Sequence, residues 1–107
     1  MLWENRSMIV VLFRSRLTPE AGDDYRAMAE EVLATAREMP GFIDYTIYHS
    51  DDGEKLSVVR WENQETMKAW REHPRHKIAQ AAGRERWYRN YEIEIAEVVR
   101  SSRFERG

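Results

Sequence analysis

Cysteine is absent from this sequence of 107 residues. Its absence excludes disulfide bonds, thiolate metal sites and a cysteine nucleophile, and it is typical of proteins in a reducing cytoplasm. Long apolar runs are also absent, because the longest one, Met8–Phe13, is too short to span a bilayer. The segment Met1–Ser7 lacks the basic-then-apolar layout of a signal peptide. We therefore expect a cytoplasmic protein that has no membrane partner.

An excess of charge of either sign is missing as well. The chain carries 17 Lys and Arg against 19 Asp and Glu, which gives a net charge of -2. The basic residues are scattered apart from the cluster Arg84, Arg86 and Arg89, so no nucleic-acid partner is expected. A glycine-rich phosphate loop and a serine nucleophile motif are lacking too. Phosphate binding and acyl transfer therefore have no support.

The chain length supports one domain, which we assign to residues 1–107, with a core at 8–99 and a polar tail at 101–107. Met8–Arg16 predicts a strand that is apolar on both faces over its first two thirds. The following helix starts either with Thr18 as its cap and Pro19 in the first position, or later, at Gly22–Asp23–Asp24.

This first helix carries one apolar stripe and stops at Pro40–Gly41. The stripe recurs at three-and-four spacing and comprises Tyr25, Met28, Ala29, Val32, Leu33, Ala36 and Met39. Two further strands, Phe42–Ser50 and Leu56–Trp61, flank the turn Asp51–Glu54. In this turn, an Asp-Gly pair occupies the position that favours positive φ, so the two strands are predicted to form an antiparallel hairpin.

The rest of the chain predicts two short helical stretches and a last strand. Asn63 can cap the first stretch, and Pro74 opens the second, which Gly83 loosens before Trp87. The segment Tyr91–Ile95 alternates strictly between apolar and polar residues, and apolar residues extend this strand to position 99.

The predicted order is strand, helix, strand, strand, helix, strand. This is the split βαβ arrangement of a ferredoxin-like α+β domain with an antiparallel four-stranded sheet. Its helices can cover only one face of the sheet, and we expect the other face to carry apolar residues such as Val10, Leu12, Ile47 and Val59. Such a face is unlike an ordinary water-exposed surface. Its simplest cover is the same face of a second copy, so we expect a homodimer.

Five short segments make the chain resemble a known family. In order along the chain they are Met39–Phe42, Ser50–Gly53, Val58–Asn63, Met67–Trp70 and His73–His76. In this order and spacing, over roughly residues 8–99, the chain is similar to the antibiotic biosynthesis monooxygenase family of the dimeric α/β-barrel superfamily. The resemblance implies a homodimeric barrel with a pocket between sheet and helices in each subunit. The family includes cofactor-free oxygenases of polyketide-type aromatics, quinol oxygenases, haem-degrading oxygenases and members with no established activity.

The resemblance also assigns candidate site residues. Trp61 ends the third strand where the family commonly has tryptophan, and Trp70 stands where the haem-degrading branch carries a helix tryptophan. Gln80 occupies the place of that branch's axial histidine, and it also aligns roughly with an arginine of the polyketide-oxidising branch. Ser57 aligns with an asparagine that helps catalysis in the polyketide-oxidising branch. Because an amide ligates iron poorly, we expect no haem bound through an axial histidine.

Histidine can act as a general base near neutral pH, and His76 lies where many family members place a histidine. We hypothesise a cofactor-independent monooxygenase of a small aromatic, quinol or polyketide-like compound, with His76 as its catalytic base. Trp61, Trp70 and Trp87 would form walls of the pocket, and Arg84 would be an anion partner. The remaining candidate substrate-binding residues are Ser57 and Gln80.

Alternatives stay open at this point. The chain could bind or degrade haem, or it could be a non-enzymatic dimeric module that binds a small hydrophobic molecule. The tryptophans also suit a packed core, and Arg84 also suits a surface ion pair. No metal site is expected, because His73 and His76 have no third ligand nearby in the sequence.

Overall fold

The computed structural model describes residues 7–107, so the signal-peptide expectation for Met1–Ser7 falls almost entirely outside the described residues. The strands are β1 (Ile9–Leu17), β2 (Phe42–His49), β3 (Lys55–Trp61) and β4 (Tyr88–Glu97). They form one antiparallel sheet in the order β2-β3-β1-β4. This order and the intervening helices confirm the predicted ferredoxin-like α+β fold. Within the described part of the chain, no helix is long and apolar enough to cross a membrane.

The first helix, α1 (Asp23–Arg37), begins at the later of its two predicted starts. Asp23 and Asp24 lie in its first turn, where acidic side chains are favoured by the helix dipole. Thr18 does not cap this helix. Its hydroxyl donates to the carbonyl of Arg86 at 2.8 Å, and its amide donates to the carbonyl of Trp87 at 2.8 Å. The earlier start is therefore wrong, since Thr18 ties the end of β1 to a distant segment.

Side-chain caps mark the N-termini of the other two helices, α2 (Gln64–Arg71) and α3 (Pro74–Ala82). Asn63 accepts from the Thr66 amide at 2.9 Å, and the Thr66 hydroxyl accepts from the Asn63 amide, which completes a capping box. His73 Nδ1 accepts from the Arg75 amide at 3.1 Å at the start of α3. A π-helical turn, Gly83–Trp87, follows α3, so the loosening predicted at Gly83 is confirmed.

Strand register separates the two faces of the sheet. Val11 lies opposite Val59, which in turn lies opposite Tyr45, and all three line a cavity beneath the helices. Ile47 lies opposite Ser57 and therefore belongs to this same helix-covered face. The expectation that Ile47 and Val59 share the opposite face with Val10 and Leu12 is wrong. The helix-free face carries two groups of residues. The first is apolar or uncharged and comprises Val10, Leu12, Thr46, Tyr48, Leu56, Val58 and Ala96, and the second is charged and includes Arg14, Asp44, Arg60, Glu92 and Glu94.

The core lies at one end of the helix-covered face and centres on Trp61, whose side chain is 1% exposed. Phe42 meets its ring edge-on, with centroids 5.6 Å apart, and Trp70 stacks on it at 6.5 Å. Ile9, Ala36 and Met67 complete the buried cluster. Because large aromatic side chains contribute much of the buried apolar area in a small domain, this cluster anchors α1 and α2 to the sheet.

Two glycines with positive φ provide a matched test of the fold. Gly41 has a φ of 85°, and a Cβ added there would overlap the side chain of Thr66. Gly53 has a φ of 96°, but a Cβ there would meet nothing within 4 Å. We expect Gly53→Ala to lower the free energy of unfolding by about 1–2 kcal/mol through backbone strain. Gly41→Ala adds overpacking, which gives about 2–5 kcal/mol in total. Urea denaturation of both variants measures this, and equal losses would contradict the contact with Thr66.

Candidate active site

A cavity of about 210 Å³ lies between the helix-covered face of the sheet and the helices above it. This volume corresponds to about seven water molecules at ~30 Å³ each. An apolar cavity of about 150 Å³ is known to accept benzene, so the space suits a compound of one or two rings. The apolar stripe of α1 forms its roof, with six of the seven predicted stripe residues in the lining: Tyr25, Met28, Ala29, Val32, Leu33 and Ala36.

Six of the seven candidate site residues line this cavity: Ser57, Trp61, Trp70, His76, Gln80 and Trp87. Arg84 does not line it. The Arg84 guanidinium lies at the surface and donates to the hydroxyl of Tyr91 at 3.2 Å, while Tyr91 itself lines the cavity. Tyr91 therefore lies between Arg84 and the cavity. The role of Arg84 as an anion partner stays a prediction.

The tryptophans serve as core and as cavity wall at once. Trp61, Trp70 and Trp87 are all buried, yet each presents part of its surface to the cavity. Trp87 is fixed by a hydrogen bond from its indole nitrogen to Asp24 at 3.3 Å. It also meets the ring of Tyr25 edge-on, with centroids 5.5 Å apart. The two interpretations of these residues are therefore compatible, because the cavity is cut into the core.

His76 is held in one orientation at the α3 side of the cavity. Its Nδ1 lies 3.2 Å from the carbonyl oxygen of Arg71, and its ring centroid lies 5.1 Å from that of Trp70. A carbonyl can only accept, so we assign the hydrogen to Nδ1 and the lone pair to Nε2. Burial lowers the pKa of His76, and the neighbouring His73 and Arg71 charges lower it further, against the effect of the Arg71 carbonyl. His76 is therefore a neutral imidazole at pH 7, which can take up a proton.

Apart from Ser57, the polar residues at the opposite end of the cavity were not predicted as site residues from the sequence. Lys55 donates from Nζ to the hydroxyl of Tyr25 at 2.6 Å. The hydroxyls of Tyr45 and Ser57 lie 3.4 Å apart. Burial raises the pKa of Tyr88, and the nearby hydroxyl of Tyr25 raises it further, so Tyr88 stays a hydrogen-bond donor. A possible signal was that alternation within the hairpin puts Tyr45, Lys55 and Ser57 on one face once the register is known.

Gln80 does not supply an axial ligand for haem. It offers an amide one helical turn after His76, and an amide ligates iron poorly. Across residues 7–107, no three His, Cys, Asp or Glu side chains come close enough together to hold a metal ion.

Comparison with known proteins places this chain in a family. The sequence profile of the family described as antibiotic biosynthesis monooxygenase matches residues 8–82. This chain belongs to that family. The resemblance seen in the sequence is thereby confirmed. A protein of Bacillus subtilis, the uncharacterized YqjZ, is 30% identical over 95 residues, which cover 89% of this chain and 82% of that protein.

A second relative is named jasmonate monooxygenase ABM, from Pyricularia oryzae. It is 29% identical over 98 residues, which cover 90% of this chain but 46% of the fungal protein. Among solved structures, Rv0793 of Mycobacterium tuberculosis has a TM-score of 0.78 at 21% identity and covers 91% of this chain and 100% of its own. SnoaB, a cofactor-independent oxygenase of Streptomyces nogalater, has a TM-score of 0.74 at 13% identity, covering 90% and 96%. At these identities, the structural matches establish the fold.

The lowered pKa of His76 predicts a pH dependence of stability. Just below about pH 6.5, the unfolded chain binds a proton at this position whereas the folded chain does not. The free energy of unfolding should therefore fall as the pH falls from about 6.5 towards the folded pKa, before the carboxylates titrate near pH 4. In His76→Gln this component should disappear.

Urea denaturation at several pH values between about 7.5 and 5 measures this component. His73→Asn is the matched control, since asparagine keeps a side-chain acceptor at the start of α3 and removes an imidazole outside the cavity lining. If His76→Gln retained the full pH slope of the unchanged protein, the buried neutral state of His76 would be refuted.

Proposed function

We propose that this protein is a cofactor-independent monooxygenase of a small aromatic, quinol or polyketide-like compound. The observation that carries the proposal is that His76 lines an aromatic-walled cavity while its Nδ1 is engaged by the Arg71 carbonyl, which leaves the lone pair on Nε2. A base of this kind can deprotonate a phenol or an activated ring carbon. Trp61 and Trp70 supply flat faces against which such a ring stacks.

In this reaction the substrate supplies the electrons that reduce dioxygen. His76 takes a proton from the substrate, and the resulting anion transfers electrons to dioxygen and forms a carbon–oxygen bond. The substrate peroxide then takes up a proton and loses water as its oxygen–oxygen bond breaks. One oxygen atom ends as the carbonyl of a quinone-type product and the other as water, so a phenol carbon is oxidised while dioxygen is fully reduced. The protein contributes a dry cavity, a base and oriented donors.

The relatives support this class of reaction. One curated relative is named as a monooxygenase, and a structural neighbour is described as a cofactor-independent oxygenase. The amide of Gln80, where the haem-degrading branch has its axial histidine, also favours chemistry without a resident haem. For these reasons the haem-degrading alternative ranks below the cofactor-independent one.

Oxygen consumption with anthrone and dihydroxynaphthalene tests the activity, after subtraction of the rate without protein. Loss of a general base lowers turnover by about 10²–10⁴-fold, so we expect a loss of this size in His76→Gln. His73→Asn should retain turnover, because His73 lies outside the cavity lining. Unchanged oxygen uptake in His76→Gln would remove the base assignment. Compounds that raise the melting temperature but are never turned over would instead favour a binding module.

We also propose that the protein works as a homodimer formed through the helix-free face. Its centre carries Leu12 opposite Val58, and ion pairs lie towards both ends of the strands. At these ends, Arg60 pairs with Asp44 at 3.3 Å and Arg14 pairs with Glu92 at 3.7 Å. An apolar centre with a charged rim is the usual pattern of a stable interface, which needs about 800 Å² per subunit.

Two substitutions on opposite faces of the sheet test this interface. Leu12→Lys puts a charge between Val58 and Glu94 on the helix-free face and should convert the dimer to a monomer, because burying an ionised side chain costs several kcal/mol even beside an opposite charge. Ile47→Lys lies on the helix-covered face and should leave the dimer intact. Sedimentation velocity at micromolar concentration distinguishes one chain mass from two. A monomeric unsubstituted protein, or a dimer lost only in Ile47→Lys, would refute this interface.

A further inference from the structure

The charged side chains that line the cavity are all of one sign. Its lining includes the cationic side chains of Lys55 and Arg71, but no aspartate or glutamate from the described part of the chain. The two cations lie towards opposite ends, since Arg71 follows Trp70 on α2 whereas Lys55 begins β3 six residues before Trp61. Six residues of strand correspond to about 20 Å. The cavity lining therefore has a cation at each end and, among the described residues, no carboxylate.

Among the described residues, Lys55 has no acidic partner, unlike three arginines on β1 and β3. Arg14, Arg16 and Arg60 each pair with a carboxylate within 4 Å. Across residues 7–107, Lys55 Nζ is hydrogen-bonded only to the hydroxyl of Tyr25, whose ring centroid it approaches at 5.1 Å. Glu54, next to Lys55 in the chain, is engaged by Arg14 on the other side. A half-buried ammonium with hydroxyl and ring partners can still accept an anionic ligand.

One tyrosine hydroxyl contacts this ammonium, and a second tyrosine lies beside the first. Tyr25 accepts from Lys55, and its hydroxyl is also hydrogen-bonded with that of Tyr88, so one hydrogen of this tyrosine pair remains available to donate. Tyr88 lies beside Tyr25, with ring centroids 6.1 Å apart, and lines the same cavity. Ser15 lies opposite both Lys55 and Tyr91 in the sheet, and its buried hydroxyl has no hydrogen-bond partner within the described residues. A carboxylate, with two acceptor oxygens, matches a cation flanked by hydroxyl donors.

We propose that Lys55, with the hydroxyls of Tyr25 and Tyr88, forms a binding site for the carboxylate of an amphipathic aromatic or cyclic acid. The carboxylate would lie at the β3 start, and the ring would extend towards Trp61 and His76. This inference rests on the proposed function for the identity of the reacting end, but the carboxylate site stands on its own contacts. Lys55 is here a specificity residue that selects anionic over neutral compounds.

Calorimetric titration with naphthoate and with naphthamide tests the site, because the two probes share their rings and differ in the charge of one group. We expect the unsubstituted protein to bind naphthoate at least about tenfold more tightly, as a charge-assisted hydrogen bond implies. Lys55→Met keeps an unbranched side chain and removes the charge. It should abolish the preference by weakening naphthoate while leaving naphthamide unchanged, and Lys55→Arg should restore part of it.

Lys68→Met is the matched control, since Lys68 is exposed on α2 and does not line the cavity. It should leave both affinities unchanged. Equal affinities of the two probes for the unsubstituted protein, or no measurable affinity for either, would overturn the carboxylate site. A naphthoate preference that survives in Lys55→Met would overturn it as well. Oxygen consumption tests the proposed reaction separately. Turnover without a preference for naphthoate would contradict the carboxylate site alone. A preference for naphthoate without turnover would contradict the proposed reaction alone.

Discussion

The pairing of β1 with both β3 and β4 is the constraint on which the rest of the structure depends. Because β1 pairs in a fixed register with both neighbouring strands, Ile9, Val11 and Phe13 point to the helices. Val10 and Leu12 point to the helix-free face. A slip of one residue would exchange the two sets, since side chains alternate along a strand. The slip would remove the floor of the cavity and the apolar centre of the opposite face together. One central strand thus positions both the candidate active site and the candidate interface.

Much of the fold could be predicted from sequence because its signals are local. The capping box of Asn63 and Thr66 spans three residues, and the positive φ of Gly53 follows from the turn it occupies. Long-range contacts were the source of the errors. Thr18 looked like a helix cap, but its hydroxyl bonds to the carbonyl of Arg86, 68 positions later. Ile47 and Val59 were placed on the wrong face because alternation shows which residues share a face of a strand, but only tertiary packing shows which face the helices cover.

The residues of the candidate site likewise divide into those that could be predicted from the sequence and those that could not. His76 and the tryptophans were found because histidine chemistry and family resemblance mark them individually. Lys55 and Tyr25 were missed because each looks ordinary alone, as a strand lysine and a stripe tyrosine. Their contact joins residues 30 positions apart, and it exists only once α1 lies over the start of β3. The role of such polar groups depends on tertiary packing, whereas the role of a capping residue depends on its neighbours in the chain.

A cavity inside a domain of this size must be held open against collapse, since protein interiors close-pack to nearly uniform density. Rigid rings at both ends meet this need. At one end Trp61 and Trp70 stack at 6.5 Å, and at the other Tyr25 meets Trp87 edge-on at 5.5 Å. These pairs join the sheet to α2 and α1 to the π-helical turn. Aliphatic side chains could rearrange to fill the space, but flat rings with few rotamers cannot. The aromatic residues therefore stabilise the core and preserve the cavity through the same contacts.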